Sequence, residues 1–487
     1  MEEAIVLYPI PVISHFVTMV ELGKFILTQH PSLSIHILIT TSPYDAAGSI
    51  SPYIASVPAT ISSIKFHNLP AVTLPPTLLS ATPNHESLMF EVLKSTNPNV
   101  HQVLLSISQS YTIRALIMDF FCYYALSIAS QFNIPGYYFY PSGTGSLTSF
   151  LYEPTINRTV DKSYKDLDTM INFPGVPPVH SSDMPKLVLD RNDLAYENVL
   201  ASSSEAPKTA GIIVNTFEAL EPRSLKAITD GLCIPNAPTP PVYCLGPLIG
   251  NYDQTGGGHG CLKWLNMQPK KSVVFLCFGS LGLFSKEQLK QIGDGLEKSG
   301  KRFLWVVRNP PCEEIQNLAA SSREEPDLDS LLPEGFLDRT KGRGLVVKKW
   351  APQMAVLTHE SVGGFVTHCG WSSVLEAVCS GVPMIAWPLY AEQRINRILM
   401  VEEMKIAVWM HESESGLVSG REVEERVREL MESERGEQIR KRVMLLKDQA
   451  EAAMADGGSS RLALTKLLQS WNKNVDVSTM HQNQHHP

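Results

Sequence analysis

Short apolar runs alternate with segments of helical periodicity in both halves of this sequence. Runs of this length are typical of buried strands, and strands that alternate with helices predict parallel sheets in α/β domains. The predicted strands are AIVLY (4–8), IHILIT (35–40), RALIMD (114–119), PGYYFY (135–140), SVVFLCFG (272–279), RFLWVV (302–307), GLVVKKW (344–350), GGFVTH (363–368) and PMIAW (383–387).

The length of the chain indicates two domains, because 487 residues exceed what one compact core normally holds. The stretch GPLIGNYDQTGGGHG (246–260) is the predicted linker, since three successive glycines beside Asn, Asp and Thr cannot hold regular structure. We therefore expect a first domain over residues 1–245 and a second over residues 261–487, whose last helix could pack back on the first.

Charge and cysteine content exclude several classes of protein. The net charge is −8 with no basic stripe, which argues against nucleic acid or an anionic membrane surface as a partner. The eight cysteines form no CxxC pair, so we expect reduced thiols, no metal site and a cytoplasmic location. We also expect a monomer. The acidic start MEEAIVLYPIP predicts a strand rather than a signal peptide, and no apolar run reaches the roughly 18 residues of a spanning helix.

The stretch FVTHCGWSSVLEAVCSGVP (365–383) predicts a strand, a tight turn and a short helix. Ligands of open parallel sheets bind beyond the carboxyl ends of the strands. Ser372 and Ser373 open the helix, so unpaired backbone N–H groups and the positive end of the helix dipole are available to an anion such as a diphosphate. The alternative is that Ser373 and Glu376 form a capping box and His368 is an ordinary turn histidine.

The segment WAPQMAVLTHESVGGFVTHCGWSSVLEAVCSGVPMIAWPLYAEQ (350–393) resembles the 44-residue signature of plant secondary-product UDP-glycosyltransferases. Similarity to that family extends over FGSLGLFSKEQLKQIGDGLEKSGKRFLWVVR (278–308) and GIIVNTFEALEP (211–222). The resemblance implies the GT-B fold, with two Rossmann-like α/β domains whose parallel sheets face a central cleft that holds the active site. It also implies metal-independent hexose transfer, with UDP-glucose as a co-substrate and no cofactor.

The resemblance further implies how the nucleoside of the donor is held. Trp350 would stack on the uracil, with Gln353 beside it, whereas a core tryptophan is the alternative. Glu376 would accept hydrogen bonds from both ribose hydroxyls, which suits a carboxylate that has two acceptor oxygens and no donor. This role competes with the capping box, because one side chain cannot easily serve both.

The rest of the donor site is also implied by the resemblance. His368, Ser373 and Ser280 would hold the diphosphate, and Gln393 suggests glucose as the sugar. The residues that would contact the sugar hydroxyls are Trp371, Glu392 and Gln393. The remaining predicted donor residues are Ala351, Gly370, Ser372 and Tyr390, with Thr144 from the first domain.

The sequence YPIPVISHFVTMVELGKF (8–25) places His15 at the mouth of the first sheet and at the start of a helix, whose positive end favours a neutral imidazole. The resemblance implies that His15 is the general base toward the acceptor hydroxyl. Asp119, at the end of RALIMD, would orient the imidazole and stabilise its charged state. Each has a simpler alternative, His15 as a helix-start residue and Asp119 as a helix cap.

Three positions depart from the family pattern. Val12 and Ser14 stand where relatives usually have glycine, which lets backbone approach the reacting sugar closely. Ser372 stands where relatives usually have asparagine. We therefore expect a displaced loop around His15 and a lowered affinity for the donor.

The acceptor is predicted to be a phenol, because a neutral histidine of pKa near 6.5 helps deprotonate a phenol of pKa near 10 more easily than an aliphatic alcohol. The overall sequence looks closest to relatives that use flavonoids or chalcones, and the implied product is an inverted β-glucoside. The aromatic residues that could wall the acceptor pocket lie in DFFCYY (119–124) and GYYFYP (136–141), with Phe150 and Tyr152.

Three other functions remain open at this point. The same acceptors could be glucosylated on carbon, or the chain could be a donor-binding protein with weakened catalysis. A nucleotide-dependent oxidoreductase is disfavoured, because no G-x-G-x-x-G follows the first strand.

Overall fold

The computed structural model describes residues 1–41, 50–57, 61–75, 85–250, 259–311 and 325–482. The chain divides into two compact units. The first comprises Met1–Gly250 together with the chain from Ala452 onward, and the second comprises Asn251–Glu451. The central part of the predicted linker, residues 251–258, lies outside the described residues.

The first unit contains nine described strands: β1 Glu2–Tyr8, β2 Ser34–Ile39, β3 Ile64–Asn68, β4 Tyr111–Asp119, β5 Gly136–Tyr140, β6 Met170–Ile171, β7 Val179–His180, β8 Gly211–Val214 and β9 Val242–Cys244. Its α-helices up to Gly250 are α1 Ile13–Gln29, α2 Ile50–Ser56, α3 His85–Ser108, α4 Leu126–Gln131, α5 Thr144–Thr159, α6 Lys186–Leu189, α7 Leu194–Glu205 and α8 Pro222–Thr229. Short 3₁₀ turns span Phe120–Ala125, Tyr164–Asp166, Ser181–Asp183 and Ala206–Lys208.

Within the described part of the first unit, seven strands form one parallel sheet in the order β3-β2-β1-β4-β5-β8-β9. The strand order reverses between β1 and β4, which pair from Glu2 with Tyr111 to Tyr8 with Met118. Because these neighbours are parallel, the segments that follow them leave the same edge of the sheet side by side. That edge is where His15 and Asp119 lie.

The second unit contains β10 Val273–Cys277, β11 Arg302–Val307, β12 Gly344–Lys348, β13 Val362–Thr367, β14 Met384–Ala386 and β15 Ala407–Trp409. Its described α-helices are α9 His259–Leu265, α10 Lys286–Ser299, α11 Leu328–Leu331, α12 Phe336–Arg339, α13 Gln353–Leu357, α14 Trp371–Ser380, α15 Gln393–Ile398, α16 Gly420–Glu432 and α17 Glu434–Met454. A π-helical turn spans Leu399–Glu403, and the last helix, α18 Ser459–Gln482, belongs to the first unit.

The described strands of the second unit form one parallel sheet in the order β12-β11-β10-β13-β14-β15. This is the strand order of the Rossmann fold, in which ligands bind where the order reverses. The reversal here lies between β10 and β13, which pair up to Cys277 and Thr367. The turns that follow these two strands are therefore neighbours.

Helix α18 packs on the first unit through polar contacts as well as its apolar face. Ser460 Oγ donates to the carbonyl of Gly246 at 2.6 Å, and Thr465 Oγ1 donates to Gln29 Oε1 at 3.0 Å. The hydroxyls of Ser470 and Tyr137 lie 2.8 Å apart. None of the helices in the described ranges combines the length and the apolar character needed to cross a membrane.

The pattern over residues 123–132 predicts one helix, but the structure has a 3₁₀ turn over Phe120–Ala125 followed by α4. The physical reason is the end of β4. The carboxylate of Asp119 accepts a hydrogen bond from the backbone N–H of Phe121 at 3.1 Å, so it starts a turn directly after the strand. The aromatic residues that follow are therefore held close to the sheet edge.

Phe275 and Phe365 are paired across β10 and β13, fully buried, with ring centroids 5.3 Å apart. We predict that Phe275→Ala lowers the free energy of unfolding by about 3–5 kcal/mol, because it removes a buried ring and leaves a cavity between two central strands. Phe275→Leu should cost less, since it leaves a smaller cavity. Denaturant unfolding followed by circular dichroism measures both; an alanine variant with the wild-type midpoint would contradict this account of the core.

Candidate active site

His15 and Asp119 meet at the strand reversal of the first sheet. His15 is the third residue of α1, and Asp119 is the last residue of β4. Nδ1 of His15 lies 2.6 Å from Oδ2 of Asp119. The aspartate side chain is fully buried, while 20% of the histidine side chain is exposed. The sheet topology thus joins two residues that are 104 positions apart in the sequence.

The contact with Asp119 fixes which nitrogen of His15 carries the proton. An ionised carboxylate only accepts hydrogen bonds, so Nδ1 carries the hydrogen and Nε2 is the unprotonated nitrogen of the neutral imidazole. The second oxygen of Asp119 accepts the N–H of Phe121. Asp119 is therefore both a cap of the 3₁₀ turn and the hydrogen-bond partner of His15. The helix-cap interpretation and the contact with His15 do not exclude each other.

The backbone before His15 does not require glycine. Val12 has φ −114° and ψ 125°, an extended conformation that any residue adopts, and it precedes α1 without a side-chain cap. Ser14 is exposed, and its carbonyl accepts the Thr18 hydroxyl at 2.6 Å. In this structure the two departures from the family pattern leave α1 regular and His15 in contact with Asp119.

Aromatic rings lie against His15 on the first unit. Phe121 meets the imidazole edge-on with centroids 6.1 Å apart, and Phe120 lies 4.3 Å from Phe121. Phe120 also contacts Phe150 and Tyr140, at 5.1 and 4.8 Å. Both Phe120 and Phe121 are partly exposed. Other predicted wall residues belong to the core, since Tyr137, Tyr138 and Phe139 are at most 1% exposed.

Thr144 does not present its hydroxyl at a surface. It is fully buried, and its Oγ1 lies 2.7 Å from the Ser224 hydroxyl. The carboxylate of Glu221 accepts the backbone N–H groups of Thr144 and Gly145 at 3.0 and 2.8 Å, so a side chain distant in sequence caps α5. A contact between Thr144 and the sugar stays a prediction that this geometry does not support.

His368 lies between two glycines at the strand reversal of the second sheet. A Cβ atom on Gly279, which has φ +72°, would lie 2.6 Å from Nε2 of His368, and a Cβ on Gly370 would overlap the same nitrogen. The turns after β10 and β13 thus close directly on the imidazole, and neither position tolerates a side chain. Ser280, the next residue after Gly279, is exposed at the same turn.

Burial controls the charge of His368. The residue is 6% exposed, and burial lowers its pKa to about 4, so the imidazole is neutral at pH 7. Its Nδ1 has no hydrogen-bond partner among the described residues. A neutral imidazole can donate one hydrogen bond to a phosphate oxygen, which is a contact of moderate strength rather than an ion pair.

Helix α14 begins at Trp371 with Gly370 as its N-cap and no side-chain cap. The capping-box interpretation of Ser373 and Glu376 is therefore wrong. Instead, both side chains bind the amide nitrogen of Gln353, which lies 2.9 Å from Ser373 Oγ and 2.5 Å from Glu376 Oε2. The N-cap Gly370 has no side chain to bind the first-turn N–H groups of this ten-residue helix, and N–H groups at a helix start suit an anion.

In the cluster of Gln353, Ser373 and Glu376, the glutamate is protonated at a higher pH than an ordinary carboxylate. Burial raises the pKa of Glu376 to about 7, and the hydrogen bond from Gln353 partly offsets this effect. Trp350 and Ala351 precede Gln353 in the sequence by three and two residues. Trp350 is partly exposed, so it is not a core tryptophan, whereas Ala351 is 2% exposed.

The predicted sugar-contact residues differ in their exposure. Gln393 is 2% exposed, and its Oε1 accepts the backbone N–H groups of Leu389 and Tyr390, both at 2.9 Å. It therefore shapes the loop after β14 in this structure. Trp371 is 3% exposed. Glu392 and Tyr390 are partly exposed, and the Tyr390 ring lies 5.9 Å from that of His368.

Two residues at this edge were not predicted. Asn396 is fully buried and donates from Nδ2 to the carbonyl of Cys369 at 3.0 Å, which holds the turn where Cys369 has φ +65°. Arg308 donates to the carbonyls of Gly279 and Ser280. The only sequence signal for Arg308 is its place directly after a predicted strand. Among the described residues, no group of three or more His, Cys, Asp or Glu side chains is arranged to hold a metal ion.

The chain matches known proteins along nearly its whole length. The family model described as "UDP-glucoronosyl and UDP-glucosyl transferase" matches residues 247–452. An anthocyanidin 5,3-O-glucosyltransferase from a Rosa hybrid cultivar is 50% identical over 484 residues, which cover 97% of this chain and 99% of that protein. A phloretin 2'-O-glucosyltransferase from Pyrus communis is 49% identical over 485 residues, which cover 96% of this chain and 100% of that protein.

A solved structure has the same fold. Phytolacca americana UGT2 complexed with UDP-2fluoro-glucose and pterostilbene is similar to this chain with a TM-score of 0.84 and 34% identity, over 96% of this chain and 100% of that chain. The predicted GT-B fold class and the predicted family are confirmed. The chain belongs to the family of UDP-glucuronosyl and UDP-glucosyl transferases and, within it, to the plant UDP-glycosyltransferases.

Proposed function

We propose that the protein transfers glucose from UDP-glucose to a hydroxyl group of a flavonoid, a chalcone or a related phenol, with His15 as the general base. The observation that carries this proposal is the 2.6 Å contact between His15 Nδ1 and Asp119, which leaves Nε2 as a proton acceptor. We further propose that the enzyme acts without a metal ion and in the cytoplasm, as the cysteine pattern of the sequence predicts, and that it acts as a monomer.

The surroundings of His15 support a flat, phenolic acceptor. The partly exposed rings of Phe120 and Phe121 offer apolar contact beside the base, and aromatic rings pack favourably against other aromatic rings. A phenol is also the hydroxyl that a neutral imidazole deprotonates most easily among common acceptors. The named relatives act on anthocyanidins and on phloretin, which are phenols of this kind.

The second unit supports a UDP-sugar donor through uncharged groups. The turn of Gly279 and Ser280, the neutral His368 and the first turn of α14 together offer several hydrogen-bond donors to a diphosphate. Ionised Glu376 would accept both ribose hydroxyls, and Trp350 would stack on the uracil at about 1–3 kcal/mol by analogy with base–aromatic stacking. The Phytolacca americana structure contains UDP-2fluoro-glucose and pterostilbene.

The reaction would be a single displacement. Nε2 of His15 takes the phenolic proton, and Asp119 stabilises the imidazolium that forms. The phenolate oxygen forms a bond to the anomeric carbon while the bond from that carbon to the β-phosphate oxygen breaks, and UDP leaves with the electron pair. Attack from the face opposite the phosphate inverts the α-linked sugar to a β-glucoside.

The His15→Ala variant tests the proposed base. His15→Ala should lower kcat for glucosylation of a phenol such as phloretin by about 10²–10⁴-fold, because it removes the proposed proton acceptor. The matched control is His30→Ala, which removes a histidine just after the other end of α1 and should leave kcat within about twofold of the wild type. Mass spectrometry of the product, with UDP release as a second readout, measures both.

The equilibrium binding of UDP-glucose distinguishes loss of the base from loss of the fold. The His15→Ala protein should bind UDP-glucose as the wild type does. A His15→Ala enzyme that retains more than a tenth of the wild-type kcat would rule out His15 as the base. A product that resists acid hydrolysis would show that the sugar is on carbon rather than oxygen.

The affinity for UDP-glucose is predicted to depend on pH. Burial raises the pKa of Glu376 to about 7, and only the ionised form accepts both ribose hydroxyls. Raising the pH through 7 ionises the group, so affinity for UDP-glucose should increase about tenfold between pH 6 and pH 8. UDP-glucose is the right probe, because its diphosphate stays fully ionised over this range. Isothermal titration calorimetry at several pH values measures the effect.

Two variants test the assignment of this pH dependence. Glu376→Gln should bind more weakly and lose the slope, because the amide does not titrate. Glu360→Gln alters an exposed glutamate paired with Lys270 in the same unit and should keep the slope. An unchanged slope in Glu376→Gln would show that another group titrates.

A further inference from the structure

Arg308 lies at the ligand-binding edge of the second sheet. It directly follows β11, which pairs in parallel with β10, so its side chain reaches the turn that follows β10. Nη1 of Arg308 donates to the carbonyl oxygen of Gly279 at 3.4 Å and also to that of Ser280. One partly buried guanidinium therefore binds two successive carbonyls of a single turn.

The turn that Arg308 binds lies directly beside His368. Gly279 has φ +72°, and a Cβ atom at this position would be 2.6 Å from the ring nitrogen Nε2, so only glycine fits. A displacement of the turn would change its distance from the imidazole. The position of the Ser280 N–H and hydroxyl relative to His368 therefore depends on what holds the turn.

Arg308 holds this turn through its carbonyl groups, and Gln393 holds a neighbouring loop. Arg308 binds the carbonyls of Gly279 and Ser280. Gln393 in turn accepts the N–H groups of Leu389 and Tyr390. With its carbonyls bound by a cation, the turn can direct its N–H groups and the Ser280 hydroxyl toward an anion.

We propose that Arg308 is a positioning residue for the diphosphate of the UDP-sugar: it holds the Gly279–Ser280 turn against His368 so that both contact the phosphate oxygens. The inference rests on the proposed donor function and deepens it. Arg308 would therefore strengthen the binding of a nucleoside diphosphate and leave the binding of the bare nucleoside unchanged. Its positive charge adds a favourable interaction with the diphosphate that the neutral His368 does not supply.

The test measures the affinities for UDP and for uridine by isothermal titration calorimetry. Arg308→Met should weaken UDP binding about tenfold or more, which is the loss expected for charge-assisted hydrogen bonds, and should leave uridine binding within about twofold. KM for UDP-glucose should rise by a similar factor, while KM for the phenol is unchanged. Arg308→Lys, which keeps the charge and can donate to a carbonyl, should recover UDP affinity to within about threefold of the wild type.

The matched control is Arg302→Met, at the other end of the same strand. Arg302 Nη1 donates to Gln268 Oε1 at 2.9 Å and to the Gly342 carbonyl at 3.3 Å. The Arg302→Met variant therefore also loses two hydrogen bonds, but at the other end of β11 from the turn. This variant should keep the wild-type ratio of the two affinities. Arg308→Gln replaces the methionine variant if that protein does not fold.

Three results would overturn the proposal. The first is an affinity of Arg308→Met for UDP within about twofold of the wild type, and the second is an equal loss of affinity for UDP and for uridine in that variant. The third is an Arg302→Met variant that loses UDP affinity as selectively as Arg308→Met does. The binding measurements omit the acceptor. Failure to glucosylate any phenol would therefore reject the proposed function while leaving the binding result for Arg308 valid.

Discussion

In each unit, the candidate functional residues depend on the hydrogen-bonded pairing of two parallel strands at the point where the strand order reverses. In the first unit β1 and β4 are paired, so His15 after one and Asp119 at the end of the other are in contact. In the second unit β10 and β13 are paired, so the turn at Gly279 closes on His368. The same backbone arrangement thus positions the proposed proton acceptor in one unit and the proposed anion-binding turn in the other.

The ligand-binding edges of the two sheets differ in their charged groups. At the first, a buried aspartate accepts hydrogen bonds from His15 and Phe121, which fixes the imidazole and favours its charged form after proton transfer. At the second, burial keeps His368 neutral and makes Glu376 easy to protonate. Positive potential there comes from the start of α14 and from Arg308. This division suits a base that must gain a proton and a leaving group that arrives already negative.

Hydrophobic periodicity predicts nine of the fifteen described strands but does not predict β3, β6, β7, β8, β9 and β15. Strand–turn–helix signals that lie within a few residues predict where the candidate site is. They do not predict side-chain partners that depend on packing. Ser373 and Glu376 have the spacing of a capping box, yet Gln353, 20 or more residues away, binds both. Thr144 and Gln393 look available in the sequence, but packing buries them. The grouping of α18 with the first unit likewise depends on contacts with Gly246 and Gln29.

The most direct test of this account is hydrogen–deuterium exchange with and without UDP, resolved to peptides. If the strand reversal of the second sheet is the donor site, UDP should slow exchange in the turns over residues 278–282 and 368–374 and in the segment 350–354. Slowed exchange confined to the opposite edge of the same sheet, around residues 271–273, 300–302 and 361–363, would contradict it, as would no change anywhere in the second unit.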